Sequence, residues 1–104
     1  MEAVVINKEI AEALSLFNGQ TPEAKIINTI IEALEHRLAQ CHQKLGFFEA
    51  KYGMPFDGFA RAWDKDEIAD KHGYETESDY IDWEAYEMER QNILRVLARI
   101  KARE

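Results

Sequence analysis

The sequence predicts an all-α fold: a long antiparallel helical hairpin, coiled-coil-like, with a short aromatic helix at the connection and a short N-terminal helix or arm. Three observations carry this. Two long stretches lack internal proline and keep apolar residues at alternating spacings of three and four, the pattern of a heptad seam. Strong helix-stop signals stand between them. At 104 residues, 46% hydrophobic and 32% charged, the chain has the size and composition of one ordered domain rather than of a disordered tail or a membrane span.

The first 20 residues offer two readings. Asn7 can cap a helix carrying Ile10, Leu14 and Phe17 that ends at Asn18-Gly19, with an extended arm before it; Ala3 to Ile6 can instead form a short strand. The helix is the preferred reading. Thr21-Pro22 then supplies a hydroxyl cap and a proline at the first helical position, and nothing breaks the helix before Gly53. Over residues 22–52 the seam reads Ala24, Ile27, Ile31, Leu34, Leu38, Cys41, Leu45, Phe48 and Tyr52, with Gly46 its weak point. A helix of that span is about 46 Å long at ~1.5 Å per residue, more than a compact globule of this mass needs.

Gly53-Met54-Pro55 stops the first rod, and a short helix over 55–63 gathers Phe56, Phe59, Ala60 and Trp63 on one face. Gly58 weakens it by about 1 kcal/mol relative to alanine, so packing must hold it. Residues 64–76 read as an acidic connector turning at His72-Gly73. The last helix, over 77–102, is capped by Thr76 or Ser78 and carries the second seam: Trp83, Tyr86, Arg90, Ile93, Leu97 and Ile100. Arg90 needs either a carboxylate partner or a packed stem with its guanidinium in water. Because each rod offers only one apolar stripe, a second copy is expected to thicken the core. The expected homodimer seam is Ile27, Ile31, Leu34, Leu38, Leu45, Trp83, Tyr86, Ile93, Leu97 and Ile100.

Charge is uneven along the chain. Residues 1–63 carry 8 acids and 6 bases, residues 64–89 carry 11 and 2, and residues 90–104 carry 1 and 5. Acids at the start and bases at the end of the last helix suit its dipole. The acids already present in the connector point further, to attraction of a basic partner. Tyr74 and Tyr80 lie among them and off the seam, as interface aromatics do.

Chemistry is not evident. Cys41 sits on the apolar seam, where a thiol is packed rather than reactive. His36 and His42 are six apart on one helix and point away from each other. Asp64, Asp66, Asp70 and Glu75 mimic a calcium loop, but Ile68 holds a ligand place and Ala69 the glycine place. No Glu-x-x-His pair, phosphate loop or nucleophile with its base is present, so no enzyme activity, cofactor or metal is expected. The basic stripe of Arg95, Arg99, Lys101 and Arg103 is too small to read DNA alone, and a net charge of -7 argues against autonomous nucleic-acid binding. A single cysteine and no secretory start point to the cytoplasm.

Two segments carry a family resemblance: Phe48-Glu-Ala-Lys-Tyr-Gly-Met-Pro-Phe-Asp-Gly-Phe59 and Glu77-Ser-Asp-Tyr-Ile-Asp-Trp-Glu84. The chain resembles, over residues 20–100, a group of small prokaryotic proteins regarded as antitoxin-like partners in toxin–antitoxin pairs. Gly58 departs from that pattern, where a helix-favouring acid is expected. The resemblance implies neutralisation of a protein partner, a toxin. Tyr74, Asp79, Tyr80, Asp82 and Glu84 are then the expected contacts, and a structural coiled-coil oligomer or assembly adaptor is the alternative.

Overall fold

A computed structural model describes residues 6–103. All regular structure among them is helical: α1 (Lys8–Leu14), α2 (Pro22–Tyr52), α3 (Phe56–Asp64) and α4 (Tyr74–Lys101). The arm expected before residue 6, and most of the alternative strand, lie outside the described residues. No helix among the described residues is long and apolar enough to cross a membrane.

Local chemistry sets most boundaries. The Asn7 side chain accepts from the Ile10 amide at 2.8 Å and opens α1, which ends before Phe17. Thr21 Oγ1 accepts from the Ala24 amide at 3.1 Å, and Pro22 occupies the first turn of α2. Gly53 closes α2 at φ 71°, the left-handed conformation that glycine enters without a Cβ penalty, and its amide donates to the Glu49 carbonyl at 2.7 Å. One start differs from expectation. α4 begins at Tyr74 rather than Glu77, with Gly73 at its N-cap and no side-chain cap. Thr76 is buried, so it packs rather than caps, and Glu75 and Glu77 complement the first turn.

α2 and α4 pack side by side and antiparallel. Tyr52 meets Asp79, Phe48 stacks on Trp83, Arg37 pairs with Glu89 and Glu35 pairs with Lys101, so position falls along one helix as it rises along the other. The molecule measures 57 × 25 × 20 Å. Its radius of gyration of 19.4 Å exceeds the ~13 Å of a compact domain of this length.

Most of the expected seam residues are therefore packed inside one chain. Leu45, Trp83, Ile93 and Leu97 are buried, and Ile31, Leu34, Leu38 and Tyr86 pack against them. Eight of the ten expected seam residues thus meet within the chain, while Ile27 and Ile100 border an open cleft. Two clusters result. Leu45, Phe48, Phe59 and Trp83 form one, and Cys41, Ile93 and Leu97 the other, with Tyr86 touching both.

Candidate functional site

The end where α2, α3 and α4 meet is the most completely built part of the molecule. Trp83 is fully buried at its centre, with ring centroids 5.5 Å from Phe48, 5.7 Å from Tyr52, 5.5 Å from Phe56 and 4.8 Å from Phe59. Each such aromatic pair adds about 0.5–1.5 kcal/mol to area burial, which holds α3 in place despite Gly58 and the lack of a side-chain cap. The Trp83 Nε1–H is buried with no acceptor among the described residues.

Beside the aromatics lies a polar latch. Lys51 Nζ donates to Asp79 Oδ2 and to Glu75 Oε1, both at 2.6 Å, and the Tyr52 hydroxyl donates to Asp79 Oδ2 at 2.5 Å. Burial pushes the Asp79 carboxyl up, but the Lys51 and Tyr52 hydrogen bonds outweigh it and leave the group below its usual range. Burial and the bond to Asp79 raise the Tyr52 phenol. The latch ties the last turn of α2 to the first turns of α4.

The structure does not bring the five expected contact residues onto one surface. Tyr74 is 89% exposed, and Asp82 and Glu84 are exposed as well. Asp79 is held in the latch, and Tyr80 packs 4.6 Å from Trp63 and 5.8 Å from both Phe56 and Phe59. Both are thus partly buried and engaged within the chain, Asp79 by the end of α2 and Tyr80 by α3, which adds a second covering that a count of α2-facing positions misses. Asp82 and Glu84 also point to opposite flanks of α4, since two residues subtend about 200° around a helix.

The remaining acids near α3 are engaged or exposed individually. Lys71 pairs with Asp66 at 2.6 Å and lies 5.3 Å over the Trp63 ring, so the connector folds onto α3. Burial, then the charges of the exposed Glu84 and Asp64, raise the Tyr80 phenol. Arg90 has its carboxylate partner: its Nη2 and Nε donate to Glu87 at 2.7 and 3.2 Å. Those bonds hold Glu87 below the usual carboxylate range. Arg90 borders an open hollow of about 400 Å³ with His42, Gly46, Glu49, Asp57 and Glu87.

On the opposite flank of α4, Asp82 borders a depression with Lys44, Phe47 and Tyr86. Phe47 is 60% exposed and was not among the expected contacts, because it is the off-seam half of the Phe47-Phe48 pair. Its signal in the sequence is a bulky aromatic at a position the heptad leaves to solvent.

Burial, then the neighbouring Glu89, raises the Cys41 thiol, which packs against Ile93 and Leu97. Among the described residues no group of three or more His, Cys, Asp or Glu is placed to hold a metal ion. No known family model matches the chain, and no curated protein and no solved structure matches it.

Proposed function

We propose that this chain is a non-enzymatic protein-binding module that neutralises a basic protein partner, a nucleic-acid-active toxin encoded beside it, while acting as a homodimer in the cytoplasm. The observation that supports this reading best is the acidic flank at the α3–α4 end. Asp64 and Glu84 stand exposed beside the aromatic cluster and outside the ion pairs of the described residues, and Tyr74 projects at the start of α4. A preordered surface of one sign steers an oppositely charged partner and rejects like-charged ones. Asp79 and Tyr80 serve this surface from beneath, by positioning α4.

Co-expression with the product of the adjacent gene, followed by purification of the native complex, tests the proposal. A stable complex is expected, and Asp64→Lys with Glu84→Lys should weaken it at least tenfold without loss of helicity. An unchanged complex places the contact elsewhere, and no complex removes the toxin partnership. The second reading, a structural oligomer without a dedicated partner, is favoured by the incompletely covered end of the rod.

A further inference from the structure

The far end of the rod is unfinished. No residue of α2 before Cys41 is buried, although six isoleucines and leucines lie in that stretch. Between α2 and α4, Ile26, Ile27, Ile30, Val96 and Ile100 line an open cleft of about 700 Å³, with Arg95, Arg99 and Arg103 along its edge. Ile30 is 43% exposed.

This cleft is one end of a continuous face. On α2, Ile30, Arg37 and Lys44 recur at intervals of seven, and on α4 so do Asp82, Glu89 and Val96, with Arg103 one interval further in the turn after it, so each helical set lies along one side of its helix. The Arg37–Glu89 pair bridges the two helices midway, and the depressions on either side of Lys44 share Gln43, Lys44 and Tyr86. At one end the face offers a protruding Phe47 beside Asp82; at the other it offers an apolar cleft beside arginines. About a two-fold axis across the middle of this face, near Arg37 and Glu89, the register brings Phe47 opposite the isoleucine cleft and Asp82 opposite Arg99 and Arg103.

We propose that a second copy of this chain docks on this face, antiparallel, with Phe47 of each copy seated in the isoleucine cleft of the other and Asp82 facing the Arg99–Arg103 edge. The contact is isologous and closes at two copies. It supplies the surface that the homodimer in the proposed function needs, since most of the heptad seam is packed within the chain and Ile27 and Ile100 are left at the cleft. The elongated chain exposes 7650 Å², against the ~6,000 Å² of a compact monomer of this mass, so it carries surface that a compact fold would bury. Aromatic anchors in apolar pockets carry most of such binding energy.

Sedimentation equilibrium or light scattering of the isolated full-length chain tests this without any other partner, so it can fail while the toxin reading stands. A dimer is expected at micromolar concentration. Phe47→Glu and Ile30→Glu, both at exposed positions, should each raise its dissociation constant at least a hundredfold with far-UV circular dichroism unchanged. Asp82→Lys and Arg103→Glu should each weaken it about tenfold, and the two together should restore it. Ile81→Glu, on the outer side of α4, should have no effect. A monomer up to 100 µM, a dimer indifferent to both Phe47→Glu and Ile30→Glu, or one broken by Ile81→Glu would overturn the proposal.

Discussion

Trp83 is the side chain on which the three-helix end depends, and its replacement has a magnitude that follows from its surroundings. It is fully buried and touches four aromatic rings from α2 and α3. Trp83→Ala removes the packing and leaves a cavity, at a cost of about 3–5 kcal/mol. Total stability for a chain of this length is roughly 5–15 kcal/mol, so the loss is a large fraction of it. Trp83→Phe behaves differently. It retains a ring in the stack and deletes the unpaired Nε1–H, whose burial costs about 1–3 kcal/mol, so the two effects offset and the net loss is expected below ~1.5 kcal/mol. Urea unfolding followed at 222 nm, at fixed protein concentration, separates the variants. With a slope of about 1.5 kcal/mol/M, the alanine midpoint falls by ~2–3 M and the phenylalanine midpoint by less than ~1 M. Equal losses for the two variants, or an alanine cost under ~1.5 kcal/mol, would refute the role given to this core.

Asp79→Asn should cost about 1–3 kcal/mol at neutral pH, because it leaves Lys51 and Tyr52 facing a group that no longer carries charge. The folded-state pKa of Asp79 is depressed, so its contribution is present above the unfolded value of ~3.9 and lost as pH falls through the folded value. The gap between wild type and variant should therefore close as pH falls below about 4 in acid unfolding curves. Gly46 and Gly53 form a matched pair, since a Cβ built at either meets nothing within 4 Å. Gly46→Ala, inside a helix, should raise stability by about 0.5–1 kcal/mol, whereas Gly53→Ala, at φ 71°, should lower it by about 1–2 kcal/mol, both read from thermal midpoints.

The parts of this fold legible in the sequence are those fixed by neighbours along the chain. Thr21-Pro22 and Gly53 bound α2 by local hydrogen bonding and backbone sterics, and seven-residue spacing alone places Leu45, Trp83 and Ile93 inside. What was hidden depends on distant partners. Thr76 is a good cap by type but is drawn into the interior, so α4 starts earlier. Tyr80 and Asp79 look like surface groups until α3 and Lys51 come to meet them. The opposite facing of Asp82 and Glu84 follows from their two-residue spacing beside Trp83, whereas the ion pairs that occupy Glu75, Glu87 and Glu89 depend on distant or side-chain partners.

Tyr86 packs against both hydrophobic clusters, and that position has a dynamic consequence. One end of the rod is clamped by stacked rings while the other is held by half-covered isoleucines, so opening should proceed inward from the loose tip and stall at this tyrosine. Backbone amides of α4 beyond it would exchange with solvent long before those ahead of it, and a single chain would show two distinct tiers of protection.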